Sequence, residues 1–180
     1  MTAPRSHPNP KLRGWRHADV QAPSLLYRFA RRVFQATMVP PWKIRVFNRH
    51  YEPAEGGVVY ISNHQSFLDP ILMSFALRRP VNYMARDSLF RFPGFRQLIE
   101  SLNAFPVRRG KADTGALKAA IPRLKRGGPV VVFAERTRTH DRHIGPFLPG
   151  VAIPAPRAAK WPVPAVIDGA YTHMPRTQPP

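Results

Sequence analysis

The sequence contains no cysteine, few acidic residues and no long apolar run, and each absence excludes a class of protein. Without cysteine the chain cannot form disulfides, thiolate zinc sites or a cysteine nucleophile. No segment reaches the roughly 18 consecutive apolar residues of a membrane-spanning helix. The N-terminus also lacks the continuous apolar core of a signal peptide, so we expect a protein that stays in the cytoplasm or on the cytoplasmic face of a membrane.

The few acidic residues leave a strong excess of positive charge. Lys and Arg total 28 against 10 Asp and Glu, which gives a formal net charge of +18. Most of the basic residues are arginine, whose planar guanidinium binds phosphate through two parallel hydrogen bonds. Such a chain needs an anionic partner, which could be nucleic acid, an anionic membrane surface or a phosphorylated substrate. Because the charge is dispersed and no nucleic-acid-binding motif is recognisable, we expect no nucleic-acid partner.

The remaining composition is that of a folded domain preceded by a tail. The chain has 180 residues, 43% of them hydrophobic, which suffices for one domain with a core. Residues 1–23 are polar, basic and interrupted by proline, so we expect a disordered tail. Residues 46–180 are expected to form the folded domain, short at its C-terminus.

An amphipathic helix is predicted between the tail and this domain, within residues 24–45. Ser24 is a suitable N-cap, and Pro40-Pro41 is expected to end the helix. The apolar side chains recur at helical spacing, and Arg28, Arg31 and Arg32 fall on the other face. The apolar positions are Leu25, Leu26, Phe29, Ala30, Val33, Phe34 and Met38. This pattern fits a surface helix packed on the core or an interfacial helix on an anionic membrane, and the net charge favours the second.

Strands alternate with helices through the rest of the chain, which indicates an α/β domain with a mainly parallel central sheet flanked by helices. The predicted strands are 57–62, 81–85, 104–107, 130–134 and 163–167. The predicted helices are 70–77, two short pieces within 89–102, and 113–126. Functional loops of such sheets lie beyond the carboxyl ends of the strands. His64, Arg109 and Glu135 each follow a predicted strand.

His64 and Asp69 are the candidate catalytic pair. His64 follows a buried strand, and Asp69 precedes Pro70 at the start of a helix. A carboxylate on one ring nitrogen would fix the tautomer and leave the other nitrogen to accept a proton from a substrate hydroxyl. The alternatives are a loop histidine with an N-cap aspartate, and Ser66 as a nucleophile. No metal site is expected, since no second histidine lies at ligand spacing.

Two further segments place charged residues after predicted strands. Asn103 to Gly110 contains Arg108 and Arg109, and Phe133 to Arg138 contains Glu135, Thr137 and Arg138. Arginines at strand ends are suited to binding a phosphate, although solvated surface charge is their usual role in so basic a chain.

Taken in order, these motifs resemble the phospholipid and glycerol acyltransferase family, whose best-known members are the 1-acylglycerol-3-phosphate O-acyltransferases. The motifs are Asn-His-x4-Asp from Asn63, Phe-Pro-Val-Arg-Arg-Gly from Phe105, Phe-x-Glu-x-Thr-Arg from Phe133, and Val-Pro-Ala-Val-Ile-x-Gly from Val163. The resemblance covers about Gly56 to Ala170 and implies that family's fold.

The resemblance also implies roles for the candidate residues. His64 would deprotonate the acceptor hydroxyl and Asp69 would orient it, with no acyl-enzyme. Arg109 and Arg138, helped by Arg108 and Thr137, would bind the phosphate of a lysophospholipid. Glu135 would shape the acceptor site. The donor would be acyl-CoA or acyl-carrier protein as co-substrate, without a cofactor, and the enzyme would be peripheral to the membrane.

The sequence departs from the family at a few positions. Ala134 and Arg136 stand where the family usually has proline and glycine, and Asn103 stands where glycine is common. Asn103 suits a left-handed conformation, whereas Arg136 would be strained if the glycine has a positive φ. These departures leave open a catalytically impaired relative that binds lysolipid or anionic membrane.

Overall fold

The computed structural model describes residues 23–107, 114–135, 137–139, 141, 143–147 and 159–173, with the backbone alone for residues 114–118. The strands in this part of the chain are β1 (Val58–Ser62), β2 (Asn82–Arg86), β3 (Ala104–Val107), β4 (Val130–Phe133) and β5 (Trp161–Ala165). The helices are α1 (Leu25–Trp42), α2 (Asp69–Ala76), α3 (Pro93–Ser101) and α4 (Thr114–Lys125). The predicted tail, residues 1–23, lies outside the described residues except for Pro23.

The five strands form one sheet in the order β3-β2-β4-β1-β5. Every pair of neighbouring strands is parallel. The predicted fold class, a parallel sheet flanked by helices, is therefore confirmed. All carboxyl ends of the strands lie at one edge of the sheet, which is where such folds place their ligand sites.

The connections explain why helices cover both faces of the sheet. The chain moves from β1 to β2 across β4 through α2, and it moves back from β3 to β4 across β2 through α4. Two right-handed crossovers that run in opposite directions place their helices on opposite faces. Accordingly, Met73 of α2 and Leu77, which directly follows α2, pack in one core cluster, and Ala120 and Leu124 of α4 pack in another.

The last strand lies two residues earlier than predicted. We expected 163–167, whereas β5 comprises Trp161–Ala165 and includes Pro162 and Pro164. Successive residues of a strand point their N–H groups to opposite sides. The N–H of Trp161 faces Gly57, just before β1, so both prolines direct their nitrogens to the open edge of the sheet, where no ladder bond is lost.

Helix α1 begins where the sequence indicates, but it does not end there. The side chain of Ser24 accepts a hydrogen bond from Tyr27 N and caps the helix. The prediction that Pro40-Pro41 ends the helix is wrong, because α1 continues to Trp42 and closes at Lys43 in a left-handed conformation. The prolines occupy the last turn, where their fixed φ is helical. The carbonyls that they leave without a donor belong to Ala36 and Thr37, both exposed residues.

Helix α1 packs on α2 through one face. The Tyr27 ring is buried, and its hydroxyl lies 2.8 Å from Ser74 Oγ. The Phe34 ring lies 5.7 Å from the Phe75 ring. Arg31, expected on the solvent side, instead donates to the carbonyls of Leu77 and Arg78 at the end of α2. A guanidinium at a helix C-terminus satisfies carbonyls that lack intrahelical donors.

The other face of α1 leaves apolar side chains in contact with solvent. Leu25 is 82% exposed, Phe29 67% and Val33 40%, and Arg28 and Arg32 lie beside them. We refer to Leu25, Phe29 and Val33 as the outer apolar row. Among the described residues, no helix combines the length and the hydropathy needed to cross a bilayer.

Candidate active site

His64 and Asp69 come together at the carboxyl end of β1. His64 Nδ1 lies 2.6 Å from Asp69 Oδ2, and the carboxylate side chain is fully buried while the imidazole is 13% exposed. The contact assigns the Nδ1 proton to the bond with the carboxylate, which leaves the Nε2 lone pair available as a base. This geometry supports the predicted pair over an unrelated loop histidine.

The segment from Asn63 to Asp69, here called the His64 loop, is folded around the same carboxylate. Asp69 Oδ2 also accepts hydrogen bonds from Gln65 N at 2.6 Å and Ser66 N at 2.8 Å. Asp69 begins α2, and a negative charge is favourable at a helix N-terminus. One oxygen thus organises the turn and holds the imidazole.

Ser66 has a structural position in this loop. Its hydroxyl donates to the carbonyl of His173 at 2.5 Å and accepts from Leu68 N at 3.1 Å. The side chain is buried, and its proton points to the His173 carbonyl, not to the imidazole. This arrangement disfavours the alternative in which Ser66 is the nucleophile.

The backbone of His64 is held from both neighbouring strands. Its N–H donates to Glu135 Oε1 at 2.9 Å, and its carbonyl accepts from Thr139 N at 2.8 Å, both on the segment after β4. On the β5 side, the Asn63 amide donates to and accepts from the backbone of Ile167, each at 2.8 Å. The segment Asn63-His64 is therefore held by residues that follow the strands on either side of β1.

The imidazole also packs against an aromatic side chain. The His64 ring stacks on Phe133 at the end of β4, with ring centroids 4.2 Å apart and an interplanar angle of 19°. The carboxylate fixes one edge of the imidazole and Phe133 fixes one face. A general base must be oriented toward the proton it takes, and these contacts supply that orientation before a substrate arrives.

Glu135 joins two loops at this edge of the sheet. Its side chain is buried, and while one oxygen accepts from His64 N, the other accepts from Gly145 N at 3.0 Å. A Cβ at position 145 would approach Glu135 Oε2 to 3.2 Å, so glycine allows this close approach. Glu135 thus connects the backbone of His64 with the backbone of Gly145, and its role in shaping an acceptor site stays a prediction.

The predicted phosphate-binding residues are only partly within the described structure. Thr137 is exposed, and the Arg138 guanidinium carbon lies 3.3 Å from the centre of the Phe67 ring. Arg108 and Arg109 lie outside the described residues. The strand before them, β3, is three positions from β1 in the sheet, which corresponds to about 14 Å at the usual strand spacing.

The departures from the family pattern have local explanations where the structure describes them. Ala134 is fully buried, and its N–H donates to Ser62 O at 2.9 Å, a bond that proline could not make. Asn103 has a φ of 66°, in the left-handed region that asparagine tolerates. Arg136 lies outside the described residues. In the part of the chain that the structure describes, no group of three or more His, Cys, Asp or Glu side chains could hold a metal ion.

Sequence reasoning missed the positioning contacts of this site. The Asn63–Ile167 pair, the Thr139 bond and the close approach at Gly145 depend on loops that meet only in the fold. Asn63 precedes His64 directly, and that adjacency was the one available signal for its role. The contact of Phe67 with Arg138 had no signal in either segment taken alone.

Comparison with known proteins places the chain in a family. The Acyltransferase family matches residues 43–168, and the chain belongs to this family. It is 27% identical over 117 residues to a 1-acyl-sn-glycerol-3-phosphate acyltransferase of Bacillus subtilis, covering 64% of this chain and 59% of that protein. It is 30% identical over 143 residues to a 1-acyl-sn-glycerol-3-phosphate acyltransferase of Chlamydomonas reinhardtii, covering 78% of this chain and 43% of the relative.

The fold is also similar to a solved structure. The crystal structure of the 1-acyl-sn-glycerophosphate acyltransferase PlsC from Thermotoga maritima superposes with a TM-score of 0.65 at 25% identity. The match covers 85% of this chain and 60% of that one. The chain therefore spans less than two thirds of the length of these relatives.

Proposed function

We propose that this protein transfers a fatty acyl group from an acyl thioester to the free hydroxyl of 1-acylglycerol 3-phosphate. The observation that carries the proposal is the 2.6 Å contact between His64 Nδ1 and Asp69 Oδ2 at the carboxyl edge of a parallel sheet. Membership of the Acyltransferase family supports the class of reaction, and the proposed acceptor is supported by relatives that are named 1-acylglycerol-3-phosphate acyltransferases.

The proposed reaction proceeds in one displacement through a tetrahedral intermediate. Nε2 of His64 takes the proton as the acceptor oxygen attacks the thioester carbonyl, and Asp69 stabilises the imidazolium that forms. When the intermediate collapses, the carbon–sulfur bond breaks and the imidazolium returns the proton to the thiolate. The products are the diacyl phospholipid and the free thiol of CoA or acyl-carrier protein, and no acyl-enzyme is needed.

In this proposal the phosphate of the acceptor binds to Arg138, together with Arg108 and Arg109. Arg138, with Thr137, lies on the segment that holds the His64 carbonyl, and Arg108 and Arg109 follow β3 in sequence. Charge-assisted hydrogen bonds from arginine to a phosphate are stronger than those between neutral groups. The acceptor hydroxyl would then lie toward His64.

Membrane association is part of the same proposal, since the acceptor and product are lipids. The outer apolar row of α1 and the adjacent Arg28 and Arg32 form a surface that fits the interface of an anionic membrane. The protein would bind peripherally, on the cytoplasmic face.

The proposal is tested by transfer of a labelled acyl group to lysophosphatidate, with acyl-CoA and acyl-carrier protein as separate donors. We expect His64→Ala to lower turnover at least 1,000-fold, because the base is lost. The backbone bonds of residue 64 remain, so the variant should stay folded, with a thermal midpoint lowered by the loss of one donor to the buried Asp69 carboxylate. His143→Ala is the matched control, since His143 forms an exposed pair with Asp141 at 3.4 Å.

Two outcomes would contradict the assignment in different ways. Turnover retained in His64→Ala would exclude His64 as the base. Absence of transfer from both donors, in a folded protein that binds lysolipid vesicles, would favour the impaired, lipid-binding alternative. The presence of Arg136 in place of the usual glycine is the observation that keeps this alternative open.

A further inference from the structure

Phe67 combines two features that do not suit a core residue. It lies inside the His64 loop between the proposed base and Asp69, and the residue is 61% exposed although its neighbours Ser66 and Leu68 are buried. The guanidinium carbon of Arg138 lies 3.3 Å from the centre of this ring, well within the range of a cation–π contact. An exposed aromatic ring at this point therefore has a specific partner.

The hydrogen bonds that fix His64 also fix the two members of this contact. Thr139 N donates to the His64 carbonyl, which brings the backbone next to Arg138 against the loop. The Asp69 carboxylate holds the backbone of Gln65 and Ser66, just before Phe67. The ring and the guanidinium are thus carried by the same rigid segments as the base.

We propose that Phe67 is a positioning residue that holds the Arg138 guanidinium in place for the phosphate monoester of the acceptor. The inference rests on the proposed function, because that function supplies the phosphate. Stacking on the face of a guanidinium restricts its orientation through the ring and not through the in-plane N–H groups, which are the donors that bind phosphate. An arginine restricted before the ligand arrives loses less side-chain entropy on binding.

This role has a distinct signature. Phe67 carries no charge and no proton, so its loss should weaken binding of the phosphate without altering the base. The effect should therefore appear in the KM for the acceptor and not in kcat. It should also require Arg138, and it should be restored by another aromatic ring.

The test is calorimetric binding of two soluble short-chain probes to the full-length protein. One probe is a short-chain 1-acylglycerol 3-phosphate, and the other is the matched 1-acylglycerol without phosphate. We expect Phe67→Leu to weaken binding of the phosphorylated probe about fivefold, or about 1 kcal/mol, and Phe67→Tyr to stay within about twofold of the unmodified protein. The neutral probe should bind all variants alike.

The same probes test the dependence on Arg138. Arg138→Ala should weaken binding of the phosphorylated probe by about tenfold or more. Adding Phe67→Leu to Arg138→Ala should then cause no further loss. Phe92→Leu is the control, since Phe92 is 68% exposed on another segment. In turnover assays, Phe67→Leu should raise the acceptor KM and leave kcat within about twofold.

Each result distinguishes this inference from the proposed function. The inference is overturned if Phe67→Leu affects both probes equally or neither, or if its effect persists in Arg138→Ala. If transfer that needs His64 continues without any phosphate-specific effect of Phe67→Leu, the inference alone fails. If the expected binding pattern appears but no donor supports transfer, the phosphate site stands and the acyltransferase activity is contradicted.

Discussion

Both carboxylate oxygens of Glu135 accept backbone hydrogen bonds, one from His64 and one from Gly145. The residue therefore holds His64, the proposed base, through its backbone N–H. Accepting both bonds requires a carboxylate, because each of the two backbone N–H groups needs its own acceptor oxygen. A side-chain amide has only one acceptor oxygen.

We expect Glu135→Gln to lower stability by about 1–3 kcal/mol and to reduce kcat about tenfold. The amide would turn an N–H₂ group toward one backbone N–H and leave that partly buried donor without an acceptor. Urea unfolding and acyl transfer measure the two effects. Glu100→Gln, which changes an exposed carboxylate paired with Arg96, should alter neither, and equal behaviour of the two variants would contradict the role given to Glu135.

The residues of the site were predictable to different degrees. The spacing of His64 and Asp69, with the helix start at Asp69, predicted a contact that the fold contains. The spacing could not show that the same oxygen also holds Gln65 N and Ser66 N, because that depends on the turn. The spacing also could not show that the Ser66 hydroxyl donates to the His173 carbonyl, because the position of His173 depends on the last strand.

Helix α1 shows how tertiary contacts determine which face of an amphipathic helix is covered. The apolar stripe predicted from sequence is divided in the fold. Phe34 lies beside Phe75, whereas Leu25, Phe29 and Val33 remain exposed. Periodicity locates a helix and its apolar positions, but it cannot tell which of them face a partner helix.

The outer apolar row should bind membranes without contributing to stability. We expect the double variant Phe29→Ser, Val33→Ser to reduce sedimentation with anionic vesicles several-fold, because it removes apolar area from the interface. The thermal midpoint should remain nearly unchanged, since both side chains are exposed. Phe92→Ser is the matched control, with an exposed fraction of 68% against 67% for Phe29.

Two outcomes would count against this use of α1. If the double variant sediments like the unmodified protein, the row is not the membrane surface. If Phe92→Ser reduces sedimentation to the same extent, binding is not specific to this helix.

For the whole molecule, alternation of strands and helices was enough to predict a parallel α/β domain. The order of the strands was not predictable, since it depends on which crossover passes over which neighbour. The order matters because it places β4 and β5 on either side of β1. The predicted limits of β5 were shifted because Val163 to Ile167 is the more apolar stretch, whereas pairing with β1 begins at Trp161.

At the end of the sheet opposite the site, Arg79 connects the segments that lead into neighbouring strands. This buried side chain donates to Pro53 O at 3.3 Å, to Gly56 O at 2.9 Å and to the carbonyl of Gly127. These carbonyls lie in the segments leading to β1 and β4, and Arg79 itself precedes β2. Burial lowers the pKa of Arg79 from its ordinary value, and the nearby Glu52 opposes that shift.

We expect Arg79→Met to destabilise the protein by about 3 kcal/mol, because three partly buried carbonyls lose the donor that the Arg79 side chain supplies. Arg78→Met is the control: the Arg78 side chain is exposed, and its backbone N–H would still donate to Glu52. That variant should change the free energy of unfolding by less than about 0.5 kcal/mol. Urea denaturation compares them, and equal midpoints would show that Arg79 does not join these segments.

The bonds between Asn63 and Ile167 link positions separated by 104 residues along the chain. During synthesis, the His64 loop leaves the ribosome long before Ile167 does. The nascent chain therefore carries both His64 and Asp69 while the support from β5 does not yet exist. Contacts so distant in sequence also form slowly, because a long loop must close first. His64 therefore gains the support of these two bonds only after β5 and the segment that follows it have joined the sheet.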